Sequence, residues 1–73
     1  MIRYFNGESG ILAYECGRDF VRIQFADGRI YLYTYGSTGV FNVEKMKRLA
    51  RRGKGLNTFI NRMVRENYSE RQK

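Results

Sequence analysis

Two alternating segments, residues 20–25 (FVRIQF) and 30–35 (IYLYTY), flank the dipeptide Asp27-Gly28 and leave few folds open to the chain. Asp-Gly suits the two centres of a type I′ turn, where φ must be positive, so the pair reads as a two-residue β-hairpin. Closing the hairpin there predicts Phe25 opposite Ile30, Ile23 opposite Leu32 and Val21 opposite Thr34, all on one aliphatic face. The other face then carries Gln24 opposite Tyr31, Arg22 opposite Tyr33 and Phe20 opposite Tyr35. Three tyrosines at period two beside an arginine suggest a surface that binds rather than one that catalyses.

The 73 residues suffice for a single domain, with a core at about 9–68 and a polar tail, 69–73, expected to fray. Such a chain buries only about 60% of its unfolded surface, so each large apolar residue counts. A single cysteine, Cys16, allows no intramolecular disulfide and fits a reducing, cytoplasmic setting. Its simplest role is packing, since the chain has no histidine to activate it. No apolar run reaches the roughly 20 residues that a membrane span needs, and no membrane partner is expected.

Residues 2–5 (IRYF) before Asn6-Gly7 read as a short edge strand or a loosely held terminus. Residues 11–15 read as a strand turning at Gly17-Arg18, which places Leu12 opposite Ile23 and Tyr14 opposite Val21. After Tyr35 the period changes. Asn42 reads as an N-cap with Phe41 and Met46 as a hydrophobic staple, opening a helix over residues 43–52 that Gly53 stops. Its apolar stripe is Val43, Met46, Leu49 and Ala50. A second helix over residues 56–67 turns Leu56, Phe59, Ile60, Met63 and Val64 inward and Asn57, Thr58, Asn61, Arg62 and Arg65 outward. The predicted fold class is therefore α+β: an antiparallel meander of three or four strands followed by two amphipathic helices on one face. Its core comprises Leu12, Tyr14, Val21, Ile23, Phe25, Ile30, Leu32, Met46, Leu49, Leu56, Phe59, Ile60 and Met63.

The chemistry of catalysis is missing from the pattern. With no histidine and scattered carboxylates there is no triad, zinc set or paired acids, so neither an enzyme nor a cofactor is expected. Gly53-Lys54-Gly55 lacks the glycine spacing, the following Ser/Thr and the leading strand of a phosphate loop.

Several residues together resemble the KTSC domain family, a module found at the C-terminus of some lysyl-tRNA synthetases and as small free-standing bacterial and phage proteins. They are Ser9-x-Ile11, Tyr14-Glu15, Val21-x-Ile23-x-Phe25-x-x-Gly28 and Tyr31-x-Tyr33, then Gly55-Leu56-Asn57-x-Phe59-Ile60-Asn61 and Val64-Arg65-x-x-Tyr68. The chain departs from the pattern in having no proline after the tyrosine pair and Arg52-Gly53-Lys54 before the last helix. The resemblance implies RNA binding, through the synthetase context.

Charge points the same way. Residues 1–36 hold four basic and four acidic groups, whereas residues 37–73 hold ten basic and three acidic, so the whole net charge of +7 lies in the second half. An excess of this kind attracts polyanions and also serves solubility. The expected partner is RNA or another nucleic acid, with the chain a monomer or a homodimer. Lys45, Arg48, Arg51, Arg52, Lys54, Arg62 and Arg65 would meet phosphates, and Arg22, Tyr31, Tyr33 and Tyr35 would meet unpaired bases. The tyrosine stripe could instead be the second half of a core. The helix pair could present Asn57, Asn61, Arg62 and Arg65 to a major groove, or be an ordinary αα-hairpin, which the want of a further helix favours. A protein-docking or phage accessory module is the remaining alternative, because Arg and Tyr also dominate protein interfaces.

Overall fold

The computed structural model describes residues 1–4 and 10–72. The expected Asn6-Gly7 turn, Ser9 of the family pattern and Lys73 lie outside the described residues. The chain runs β1 (Ile2–Arg3), β2 (Ile11–Cys16), β3 (Phe20–Phe25), β4 (Ile30–Thr34), α1 (Tyr35–Thr38), α2 (Val40–Arg52), α3 (Leu56–Phe59), a π-helical continuation over Ile60–Val64, and β5 (Glu70–Arg71). The strands form one antiparallel sheet in the order β1-β2-β3-β4-β5. The α+β class and the meander expected from the sequence are present, and the sheet gains a short strand at each edge.

The register of the central hairpin differs from the predicted one by a single residue. Phe25 N–H donates to Arg29 O at 2.8 Å, and Gly28 N–H donates to Phe25 O at 2.9 Å. The connection is thus the three-residue loop Ala26-Asp27-Gly28, in which Gly28 has φ +96° and no other residue type has positive φ among the described residues. A loop of this length closes with one left-handed glycine and a bulge, so Asp27 is spared the strained conformation a type I′ turn would demand. The pairs become Ile23 with Tyr31, Val21 with Tyr33 and Arg22 with Leu32. Since neighbouring side chains alternate between faces, the one-residue shift moves Tyr31 and Tyr33 to the core side and Leu32 to the open side.

A bulge in β2 does comparable work. Its register against β3 shifts between Ile11 and Ala13, so Ile11 and Tyr14, which a regular strand would send to opposite faces, both enter the core cluster. Leu12 is left 44% exposed, correcting its predicted place in the core. The β2–β3 turn closes on Gly17 and Phe20, with Arg18-Asp19 at its tip, so Tyr14 faces Ile23 rather than Val21.

The helices cover the face that carries Tyr14, Val21, Ile23 and Tyr33, contributing Val43, Met46, Ala50, Leu56, Ile60 and Val64. Phe25, Leu49 and Phe59 pack at the edge of this cluster. Thr34, rather than Asn42, begins the helical region: its hydroxyl accepts from Ser37 N–H, and the Ser37 hydroxyl accepts from Thr34 N–H. α2 then starts at Val40, which leaves Phe41 74% exposed and the expected staple unformed. Gly53 ends α2 as expected, in a left-handed conformation with its N–H directed to Leu49 O and Ala50 O. Beyond Phe59 the wider π turn rotates Met63 outward, 57% exposed, while Ile60 and Val64 stay buried.

Both ends of the chain are tied down. The Tyr4 hydroxyl, buried beside Tyr14, accepts a hydrogen bond from Leu56 N–H at 3.3 Å, satisfying a donor at the start of α3. The tail does not fray as predicted: Ser69 N–H donates to Leu32 O and Gln72 N–H to Ile30 O, at 2.6 and 2.7 Å.

Replacing Gly28 by alanine should destabilise the domain by about 1–2 kcal/mol in a urea titration, because no Cβ contact would offset the left-handed strain. A smaller loss for Gly28→Asn, which tolerates that conformation better, would identify backbone strain as the cause.

Candidate functional site

The three tyrosines predicted to form one platform occupy three environments. Tyr33 is fully buried within the core. Tyr35 opens α1 and donates its hydroxyl to Glu44 Oε2 at 2.6 Å. Tyr31 is half-buried beside Phe25 and Tyr68. Arg22 is not their neighbour: on the opposite face it pairs with Glu15, donates Nε–H to Gln72 Oε1 at 2.6 Å and lies 5.4 Å from the centre of the Phe20 ring. Its guanidinium braces β2, β3 and the C-terminal segment.

The cations between Lys45 and Arg65 lie mostly at the surface. Arg48, Arg51, Arg52, Lys54, Arg62 and Arg65 are exposed and Lys45 is half-buried. None of these seven forms an ion pair among the described residues, whose ion pairs are Arg22–Glu15, Arg29–Asp27 and Lys47–Glu44. Lys47, the eighth cation of the stretch, behaves differently. Only 4% exposed, it donates to Arg18 O at 3.0 Å and Glu44 Oε2 at 2.8 Å, and lies 5.5 Å from the centre of the Tyr35 ring. A buried ammonium needs such partners, so Lys47 fastens α2 to the β2–β3 turn. Hydrogen bonds from Lys47 and Tyr35 hold the Glu44 carboxyl below its usual range. Cys16 is half-buried nearby, and burial raises its thiol pKa against the pull of Arg51 and Lys47. A thiol held protonated is a poor nucleophile.

Between the β3–β4 turn, β4 and the last helix lies a cleft of about 520 Å³, within the range of small-ligand sites. Its aromatic part is Phe25, Tyr31, Tyr33 and Tyr68, and its polar part includes Arg29, Asn57, Asn61 and Arg65. The pairing of β5 with β4 brings Tyr68 onto the sheet, where its ring stacks on Tyr31 with centroids 4.5 Å apart and planes 19° from parallel. Tyr68 also meets Tyr33 edge-on at 6.3 Å. Arg29 is oriented by Asp27, which accepts its backbone N–H at 3.0 Å and its Nε–H at 2.6 Å, and lies 6.0 Å from the centre of the Tyr31 ring. The Arg29 backbone N–H, then its side chain, hold the Asp27 carboxyl below the usual range.

Tyr33 is the unusual member of the cleft. Its hydroxyl is closed to solvent and has no hydrogen-bond partner among the described residues, a state that costs about 1–3 kcal/mol. Burial, followed by the neighbouring Tyr31 and Tyr68, raises its pKa far above the ordinary phenol value.

The sequence reading missed Tyr68 and the two asparagines as cleft residues. The signal for Tyr68 was an aromatic ring just before a polar tail, but only the pairing of that tail with β4 gives the ring a partner. Among the described residues no group of three or more Cys, Asp or Glu side chains could hold a metal, and no helix is long and apolar enough to cross a membrane. No family model, curated protein or solved structure matches the chain. The resemblance to the KTSC family rests on the motif residues alone.

The raised Tyr33 pKa predicts an alkaline limit to stability. This group leaves stability independent of pH below the ordinary phenol value of 10.0 and lowers it as pH rises above that value, where the unfolded chain releases the proton and the folded chain retains it. Tyr35, raised chiefly by its hydrogen bond to Glu44, acts in the same direction. The urea midpoint should hold steady up to about pH 9 and fall beyond about pH 10, and Tyr33→Phe should shrink that fall.

Proposed function

We propose that this protein is a small non-enzymatic binding module for RNA or single-stranded nucleic acid, with the cations between Lys45 and Arg65 that lack a carboxylate partner among the described residues as its phosphate-contacting surface. The observation that carries the reading is the division of the cations by partner. Arg22, Arg29 and Lys47 are each paired with a carboxylate, whereas Lys45, Arg48, Arg51, Arg52, Lys54, Arg62 and Arg65 form no ion pair among the described residues. A purely structural or solubilising surface more often intersperses both signs. Here residues 45–65 contain no acidic residue at all.

Lys45, Arg48 and Arg52 recur at i, i+3 and i+7 of α2 and share a stripe. Gly53-Lys54-Gly55 then redirects the chain, and Arg62 and Arg65 continue the charge on the last helix. Such a surface binds by releasing counterions from the phosphate backbone, which makes affinity steeply dependent on salt and nearly independent of sequence. Preference for unpaired over paired nucleic acid needs aromatic surface as well. The buried Tyr33 and the remote Arg22 are unsuited to that role, and Tyr31 with Tyr68 is the ring pair beside the cations, Arg65 belonging to both groups.

Fluorescence anisotropy with a random single-stranded RNA tests the proposal. With most of the seven cations engaged, affinity should fall on the order of a thousandfold between 50 and 200 mM salt. Reversing Arg51 and Arg52 to glutamate should weaken all sequences alike and flatten the salt slope by about 0.7 per lost phosphate contact. Binding to both RNA and DNA weaker than about 100 μM at 50 mM salt would end this reading in favour of a protein-docking module.

A further inference from the structure

The cleft carries an inference that rests on the nucleic-acid reading and deepens it. Three features need a common explanation: a stacked tyrosine pair at the cleft wall, side-chain amides at its rim, and the Tyr33 phenol with no hydrogen-bond partner among the described residues. We infer that the cleft beside Tyr31 and Tyr68 receives one unpaired nucleobase, which stacks on this ring pair while the Tyr33 hydroxyl donates to an acceptor on its edge.

The chemistry matches at each point. A base is a flat π-system with in-plane donors and acceptors, and aromatic side chains hold it whatever its sequence. The volume of about 520 Å³ accommodates a base and its ribose and excludes a duplex. Asn57 and Asn61 meet each other only at 3.5 Å, the outer limit of a hydrogen bond, so their amides remain able to pair with a base edge. Arg65 at the rim can take the attached phosphate without leaving the cationic surface. An aliphatic or purely anionic ligand would leave the tyrosine pair or the amides unused.

The Tyr33 hydroxyl is closed to solvent in the unliganded protein, so the acceptor reaches it only when a neighbouring side chain gives way. The Tyr68 ring meets Tyr33 edge-on and precedes a strand of only two residues. Base entry is therefore coupled to a shift of the Tyr68 ring, and the base partly replaces the contact that Tyr68 gives up.

The test uses adenosine, which has a base and ribose but no phosphate, titrated into the isotopically labelled full chain and followed by NMR. Shift changes should concentrate on Tyr31, Tyr33, Asn57, Asn61 and Tyr68 and spare Lys45, Arg48 and Arg52. Tyr33→Phe should fold with unchanged or higher stability, since it removes an unsatisfied group, yet weaken adenosine about three- to tenfold. Tyr68→Ala, in a peripheral ring, should weaken it about tenfold, the loss expected of one stacking contact. If adenosine leaves the cleft residues unperturbed, or both variants bind it like the wild type, the inference is overturned. RNA binding that persists through the helical cations in that case leaves the proposed function standing. Adenosine bound in the cleft of a chain that binds no RNA would uphold the base site and remove the polyanion reading.

Discussion

The length of the β3–β4 loop governs the rest of the structure. A strand pair presents its side chains with period two, so adding one residue to the connection exchanges which β4 residues share a face with Val21 and Ile23. With Ala26-Asp27-Gly28 as the loop, the core face receives Val21, Ile23 and Tyr33, and the open face receives Arg22 and Leu32. Burying a tyrosine in place of an aliphatic side chain gains apolar area but brings a hydroxyl into the core. The Tyr33 hydroxyl, without a partner among the described residues, is placed there by the register chosen at the turn.

A domain this small has a limited hydrophobic core, and its periphery is arranged accordingly. The N-terminal strand sends Tyr4 across the core to the first turn of α3, and the C-terminal strand covers an edge of β4 that the meander would leave open. Covering a sheet edge satisfies backbone groups and removes a site for unwanted pairing. Lys47 and Arg22 show how cations are used internally. One joins α2 to the β2–β3 turn, the other joins the strands on the open face, and each has its carboxylate. Against that economy, seven cations between Lys45 and Arg65 have no ion-pair partner among the described residues.

The same tail pairing connects fold to site. Tyr68 reaches Tyr31 because residues 69–72 bond to β4, and the π turn at Ile60–Val64 sets how the last helix presents its residues to the cleft. The cleft is thus assembled from the two ends of the hairpin–helix succession, its rings coming from the β3–β4 hairpin and from Tyr68, far along the chain. Arg29, fixed by Asp27 in the same loop that determines the register, completes the wall.

Local patterning was enough to establish the α+β class, the two amphipathic helices, the glycine stop at Gly53 and the concentration of charge after residue 45. These depend on periodicity, capping and composition, which act over a few residues at a time. What patterning could not decide was whether Asp27-Gly28 closes a two- or a three-residue loop, since both place glycine at positive φ and they differ by one residue of register. Nor could it show that the polar tail becomes a strand, that Leu12 and Met63 turn outward, or that Tyr68 joins Tyr31. The loop length, the tail strand and the Tyr68 contact depend on how segments distant in the chain pack, where the burial of Tyr33 in the core outweighs small differences in turn preference, while a bulge and a π turn set Leu12 and Met63 outward. The cationic surface was therefore legible in the order of the residues, while the cleft exists only because the folded chain brings its distant aromatic rings together.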